Sequence, residues 1–480
     1  MTTVRNDIFR SVLVASLLIL AVGIWLGTRI PRGILTFQDE LFTAERAREM
    51  LIQGRDSVYF NFEHSFAKPP LQYWLTTLSL PRLDNPATAV RIWPLVYGLL
   101  TAIAVGWLAF LVAPDRPWLI PLSVAILISA PVFSTEARRA LLDTGLMFFT
   151  TAAIGFAELA RRRPVWWLGV AAMCWLGALQ KLPLIFLPWL IIIVWRVTQD
   201  SEREHLRMRW LIGGALLAIA LVSIWPVYQY AKYGMPVTKA FAGDDLNDLF
   251  GERRLGSRPY FDVLTGLMAT GWAGGGFALA AAAIFVFSRK DRPPPLVMEM
   301  SILSLVIVFL AVIFNFRSVR YVMPVVPCLV VVLAFLIHWL AEKNEKMRVR
   351  ASAFAILLIV GGFVQSEIKM HHRSRDASVE REVAQELGKL QAPAMSTLLI
   401  KGEPPSKRIL RSGSFYLFYG ALRFPIKQYS ISELLRMPPP GPVIGVCAVR
   451  DFPAVQAAYP GVGTVLARDE FICWRAGTER

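Results

Sequence analysis

Acidic side chains are scarce in this chain of 480 residues: 35 Asp and Glu stand against 51 Lys and Arg, for a net charge of +16. In a soluble protein that imbalance raises nucleic acid as a partner. Here the basic residues collect in short loops between apolar runs, the distribution of cytoplasmic membrane loops, so no nucleic-acid partner is implied. Only five histidines are present, scattered, and no Cys/His cluster has the spacing of a metal site. Four cysteines are also spread out. Cys174 and Cys328 fall in apolar runs and suit packing. Cys447 and Cys473 could pair if their segment is extracytoplasmic, provided their Cα atoms approach. Strictly alternating runs are missing, which excludes a β-barrel. No internal repeat is evident, which disfavours an inverted-repeat transporter. No small-x-small cleavage site follows the first apolar run; Trp25, Arg29 and Arg32 come instead, so it reads as a retained signal anchor.

What is abundant is apolar surface. The chain is 55% hydrophobic with a mean hydropathy of +0.48. Long runs such as Ser11 to Gly27 and Ser301 to Phe314 carry almost no charge, and a membrane helix needs roughly 20 apolar residues. The class is a polytopic α-helical membrane protein. The clusters Arg161–Arg163, Arg196 with Arg203, Arg207 and Arg209, Arg289–Arg292, and Lys343 with Lys346, Arg348 and Arg350 read as cytoplasmic topology signals alone. Spans are expected near 11–28, 90–112, 118–133, the run ending at 160, 166–179, 182–194, 210–230, 261–287, 296–314, 321–340 and 351–364, about eleven in all. This places the N-terminus inside and the C-terminus outside. An outer loop rich in Asp244, Asp245, Asp248 and Glu252 follows residue 230. Residues 1–365 form the membrane domain and 366–480 a small extracytoplasmic α/β domain, with helices expected at Ser378–Leu390 and Phe452–Tyr459 and strands at 397–400, 443–449 and 464–467. Within the first outer loop Leu41, Ala44, Ala47, Met50 and Leu51 recur at helical spacing, with Glu45, Arg46, Arg48 and Glu49 between. This predicts an amphipathic helix over 39–52 lying along the membrane surface.

Several polar residues stand where a membrane protein rarely places them without use. Asp39-Glu40 follows the first span. A carboxylate there can take the proton of an attacking hydroxyl or orient it; it can equally cap a helix or pair with Arg29 or Arg32. Lys68 precedes Pro69-Pro70, which hold it extended before a helix. Its ammonium suits a phosphate, or it snorkels to water. Glu136, Arg138, Arg139 and Asp143 fill the second outer loop, where two arginines break the inside-positive pattern; arginine forks suit phosphate oxygens, and an internal ion-pair set is the alternative. Lys181, Arg317, Arg320 and Tyr321 are likewise expected outside. Together these cations on one face point to anion binding there.

These segments resemble the GT-C glycosyltransferases, in particular the group of bacterial lipid A aminoarabinose transferases and protein O-mannosyltransferases. The loop from Asp39-Glu40 through Ala44-Glu45 and Arg48-Glu49-Met50-Leu51 to Lys68-Pro69-Pro70-Leu71-Gln72-Tyr73-Trp74 is similar to the family's first outer loop. Leu142-Asp143-Thr144-Gly145 is similar to its second acidic site, and Lys181 with Pro183 and Arg320-Tyr321-Val322-Met323-Pro324 match its recurring patterns. The resemblance implies a sugar donor on a polyprenyl phosphate, undecaprenyl phosphate, used by an enzyme in the bacterial inner membrane. It implies transfer with inversion to a lipid A, glycan or protein acceptor on the periplasmic face. It makes Asp39 the catalytic carboxylate and Lys68 the ligand of the donor phosphate, with Asp143 assisting at the acceptor or donor; the residues themselves add Glu40 to the catalytic carboxylates and Arg138, Arg139, Lys181, Arg320 and Tyr321 to the donor-phosphate ligands. Two departures stand out. Ala67 replaces a glutamate that the family associates with a bound metal, and residues 232–259 hold no histidine; a divalent metal is thereby put in doubt, and no cofactor is assigned. Phe42 stands where an arginine is frequent. A lipid or small-solute transporter is the alternative, but it would keep its ionisable groups near the bilayer midplane rather than at one face.

Overall fold

The computed structural model describes residues 2–32, 35, 38–66, 68–181, 185–199, 208–234, 267, 272, 274–287, 293–313, 319–371, 378–401, 413–468 and 470–477. The chain runs through α1 (Thr2–Gly27), α2 (Gln38–Gln53), a small hairpin of β1 (Tyr59–Phe60) and β2 (Glu63–His64), α3 (Leu71–Ser79) and α4 (Pro86–Val112). There follow α5 (Leu119–Ser129), α6 (Pro131–Glu136), α7 (Asp143–Arg162), α8 (Trp167–Gln180), α9 (Phe186–Thr198) and α10 (Met208–Tyr233). Then come α11 (Gly275–Phe287), α12 (Pro295–Ile313), a 3-10 turn over Val319–Val325, α13 (Val326–Lys343) and α14 (Glu345–His371). The last elements are α15 (Ser378–Leu390), β3 (Ser396–Lys401), α16 (Gly413–Tyr419), β4 (Ile426–Ser430), α17 (Ile431–Arg436), β5 (Val443–Ala448), α18 (Phe452–Ala458), β6 (Gly463–Arg468) and β7 (Phe471–Ala476). The chain separates into two compact units: residues 1–30, 66–72 and 91–373, and residues 31–65, 73–90 and 374–480.

The first unit is helical. Among the described residues six helices are long and apolar enough to cross a membrane, and four apolar helices are shorter. Each expected span overlaps one of these or α7, except that residues 261–266, 268–271 and 273 of the span expected at 261–287 lie outside the described residues. The span expected at 118–133 stops early. Ala130 is extended (φ −67°, ψ 123°) and Pro131 opens α6, because a proline disfavours the helical region for the residue before it. The core centres on α13, in which Val326 through Leu333 are buried. Lipid is as apolar as these side chains, so close packing and internal polar contacts hold such helices together. Ser366 of α14 meets Ser134 at 2.9 Å and the Ser129 carbonyl at 3.2 Å.

The basic clusters are not all topology signals. Glu299 of α12 is buried and accepts from Arg196 twice, at 2.6 and 2.8 Å, and from Arg161 at 2.5 Å. Arg161 also pairs with Glu158 at 2.7 Å, and Arg196 donates to the Ala157 carbonyl at 2.8 Å. A carboxylate within an apolar helix has to be neutralised in place, and these two arginines do so. Arg203, Arg207, Arg289, Lys290, Arg292, Arg317, Asp244, Asp245, Asp248 and Glu252 lie outside the described residues.

The second unit is an α/β fold around a five-stranded sheet in the order β4-β3-β5-β7-β6. β3 is parallel to β4 and β5, whereas β7 is antiparallel to β5 and β6. Central β5 is buried along its whole length, as expected of a strand covered on both faces. One face packs Leu398, Val443, Cys447 and Trp474 against Leu434 and Val455; each such side chain contributes about 1.5–3 kcal/mol. Cys473 stands directly opposite Val446, one position out of step with Cys447. Adjacent residues project to opposite faces, so the two thiols point away from each other, and both are free and buried.

Residues 31–65 and 73–90 group with this sheet. Helix α2 forms as expected, with Leu41, Ala44, Ala47 and Met50 buried. Its charged side is not open to water. Glu45 and Glu49 are fully buried and accept the backbone N–H groups of Asn61 (3.1 Å) and Phe62 (2.8 Å). Those two residues have positive φ (55° and 62°), a turn that leaves both amides pointing at the carboxylates. Arg46 lies over the rings of Phe42, Phe60 and Tyr73, 5.1–5.6 Å from their centroids, and Arg48 donates to the Leu422 carbonyl at 2.6 Å. Leu51, expected on the buried stripe, is 38% exposed.

Burial raises the Glu49 carboxyl above its usual value, against the opposing pull of the Phe62 amide and Arg48. The folded state therefore holds the proton more tightly than the unfolded chain. This contribution is fully present below the unfolded carboxyl value, about 4.3, and is lost as pH rises through the folded one. Glu49→Gln keeps an acceptor for Phe62 and removes the buried charge. Its melting temperature relative to the native chain should rise between pH 4 and pH 7; an equal deficit at both would refute the assignment.

Candidate active site

Asp143 opens α7 and is buried. Its carboxylate lies 2.7 Å from Nζ of Lys181, the extended residue (φ −163°, ψ 110°) that ends α8. The Tyr321 ring, in the 3-10 turn before α13, lies 5.4 Å from the same ammonium. Side-chain exposure of the pair is 18% for Lys181 and 5% for Asp143, so the charges are largely withdrawn from water and satisfied by one another. Three residues singled out in the sequence thus come together within the helical unit.

Their positions are fixed from behind. The Gln180 amide donates to the Leu142 carbonyl at 3.1 Å and to Oε1 of Gln72 at 3.2 Å. This ties the residue before Lys181 to the residue before Asp143. Gly145 makes the approach possible, because a Cβ there would lie 2.6 Å from the Gln180 amide nitrogen. Thr144 donates to the Glu136 carbonyl at 3.0 Å. Glu136 is buried and its carboxylate pairs with Arg139 at 3.1 Å, so the ion-pair alternative for this loop holds for that couple. Arg138 is half-buried, with its Nε on the Ser134 carbonyl at 3.3 Å. Arg29 pairs with Glu367 at 2.5 Å.

Arg320 and Lys68 are half-buried in the same unit, Lys68 just ahead of the buried Pro69 and Pro70. Asp39 and Glu40 belong to the other unit, in the first turn of α2, Asp39 half-buried and Glu40 buried. Ala67 and Pro183 lie outside the described residues. Among the described residues no three His, Cys, Asp or Glu side chains could jointly hold a metal ion. Sequence reasoning missed the two glutamines behind the pair and the Glu299 cluster. The signal for the latter was one carboxylate inside an otherwise apolar run.

A family model described as dolichyl-phosphate-mannose-protein mannosyltransferase matches residues 50–233. The chain aligns over 97% of its length, with a TM-score of 0.71 and 16% identity, to 99% of the Cupriavidus metallidurans ArnT crystal structure bound to undecaprenyl phosphate. The chain has the fold of this ArnT structure. An Archaeoglobus fulgidus oligosaccharyltransferase is similar in fold at a TM-score of 0.56 and 13% identity, over 81% of this chain and 60% of that one. In sequence, the undecaprenyl phosphate-alpha-4-amino-4-deoxy-L-arabinose arabinosyl transferase 1 of Proteus mirabilis is 28% identical over 196 residues, 38% of this chain and 34% of that protein. An Aquifex aeolicus protein is 22% identical over 315 residues, 64% of this chain and 60% of that protein. The chain therefore matches these curated relatives over 34–60% of their lengths.

Breaking one member of a buried ion pair strands the other, at a cost of about 3–5 kcal/mol, whereas replacing both with apolar groups is close to neutral. Lys181→Met should therefore lower the melting temperature of the purified protein, and the added Asp143→Leu should restore most of the loss. A double variant as unstable as the sum of the singles would mean the two side chains do not act as a pair.

Proposed function

We propose that the chain is an integral-membrane glycosyltransferase. It moves a sugar from a polyprenyl-phosphate donor, undecaprenyl phosphate in a bacterial inner membrane, to an envelope acceptor on the periplasmic face: lipid A, another glycan or a protein. The observation that carries this reading is the Asp143–Lys181–Tyr321 constellation in a chain with the fold of a transferase solved with undecaprenyl phosphate bound. No observation favours a transporter.

In this mechanism Asp39 accepts the proton of the acceptor hydroxyl as its oxygen attacks the anomeric carbon. Glu40 orients the acceptor. The bond from carbon to phosphate oxygen breaks on the opposite face, so the centre inverts, and the polyprenyl phosphate departs with the bonding electrons. The developing phosphate charge is met by Lys68, Arg138, Arg139, Lys181 and Arg320, with the Tyr321 hydroxyl able to donate as well; cationic clamps of this kind stabilise the transition state more than the ground state. Asp143 keeps Lys181 neutralised until the anionic donor arrives. The sheet unit lies on the periplasmic side together with Asp39.

Asp39→Asn removes the base without changing shape. Transfer measured with purified protein and lipid-linked sugar should fall by about 100-fold or more, the usual contribution of a general base, with melting temperature unchanged; near-native turnover would sink the assignment. Lys68→Ala should raise the apparent donor KM by about tenfold, the worth of one charge-assisted contact, and leave turnover at saturation less affected; an unaltered KM would remove its phosphate role.

A further inference from the structure

One buried amide touches three segments of the helical unit, each carrying a charged residue of the candidate site. Gln180 directly precedes Lys181, and both its side chain and that of Gln72 are fully buried. An amide nitrogen carries two protons. One reaches the carbonyl of Leu142, the residue before Asp143, at 3.1 Å; the other reaches Oε1 of Gln72 at 3.2 Å. Gln72 lies four residues after Lys68, behind the buried Pro69 and Pro70. The Gln180 side chain thus joins the segments that bear Lys68, Asp143 and Lys181.

The orientation of this amide is determined by its partners. A carbonyl can only accept, so the Leu142 contact turns the nitrogen of Gln180 toward it. The Gln180 oxygen is left buried with no hydrogen-bond partner among the described residues, which costs stability. The amide is held for what its two protons reach, at the expense of its oxygen. The need for it lies at Lys181. In the transfer mechanism the Lys181 ammonium passes from the Asp143 carboxylate, 2.7 Å away, to a phosphate oxygen. A lysine stem is long and flexible, so it makes that hand-over reproducibly only from a fixed backbone. Yet Lys181 stands where α8 ends, and helix ends fray. The clasp supplies the missing restraint.

We propose that Gln180, together with Gln72, is a positioning residue of the donor-phosphate site, setting Lys181 against Asp143 and registering both on the Lys68 segment. The proposal rests on the glycosyl-transfer reading. Its test is equilibrium binding of undecaprenyl phosphate, and of undecaprenol as the uncharged counterpart, to the full chain in detergent. The native chain should prefer the phosphate by about tenfold or more, the worth of one charge-assisted contact. Gln180→Met keeps the side-chain length and removes both protons. It should weaken undecaprenyl phosphate about tenfold and leave undecaprenol within about twofold, the scatter of independent sites. In a chain carrying Asp143→Leu with Lys181→Met no ammonium remains to be placed. There Gln180→Met should change neither affinity by more than about twofold.

Gly145→Ala reaches the same end by another route. A Cβ there would lie 2.6, 2.7 and 2.9 Å from Nε2, Cδ and Cγ of Gln180, so the amide has to withdraw, while α7 gains a good helix former. Its effect on the two lipids should match that of Gln180→Met. Equal weakening of both lipids by Gln180→Met, or the same loss in the chain without the ion pair, means a packing role and overturns the proposal. A native preference for the phosphate that survives Gln180→Met also overturns it and leaves the transfer reading standing. A native chain that binds the alcohol as tightly as the phosphate removes the donor-phosphate site, and the proposal with it.

Discussion

A charge buried among apolar helices has to meet its opposite there, and this requirement organises the membrane unit. Glu299 draws Arg161 from the last turn of α7 and Arg196 from the last turn of α9. The other end of α7 begins with Asp143, neutralised by Lys181. One helix of 20 residues, about 30 Å long, is thus pinned electrostatically at both ends. The helix α8 that delivers Lys181 packs along it. The candidate site therefore owes its placement partly to an ion cluster a full helix length away.

The sheet unit solves a similar problem by different means. Its polar backbone turn, at Asn61 and Phe62, is met by two glutamates one helical turn apart on α2. Spacing of four residues puts both carboxylates on one helix face, where they take two successive amides. The same helix carries Asp39 and Glu40 in its first turn, so the carboxylates proposed for chemistry sit on an element anchored at its far end by carboxylates that do structural duty.

Helices were legible wherever apolar runs were long. The spans at Pro86–Val112, Pro295–Ile313 and Glu345–His371, the helix at Ser378–Leu390 and the strand at Val443–Ala448 stand where periodicity and hydropathy put them. The break at Ala130 was readable from Pro131 but outweighed by hydropathy. Strand β4 escaped notice because an edge strand needs no apolar alternation: Lys427 and Gln428, on opposite faces, are both exposed. Helix α17 carried a capping box, Ser430 with Glu433, that marked its start. At the candidate site the charged residues were visible as violations of the inside-positive pattern. The pairing of Asp143 with Lys181 was not, since contacts between residues far apart in sequence leave no local trace. The opposite error was to treat Arg161 and Arg196 as topology signals, because a loop arginine and a buried one look alike in a string of letters.

The two cysteines of the sheet sit back to back, one on each face of adjacent strands. Burial, with Glu386 nearby, pushes the Cys473 thiol up to about 12, and burial raises that of Cys447 as well. A thiol that stays protonated is a poor nucleophile, and these two have no geometric route to each other. The sheet is consequently indifferent to the redox state of its surroundings. It can mature without oxidase or isomerase, and no reductant would loosen it.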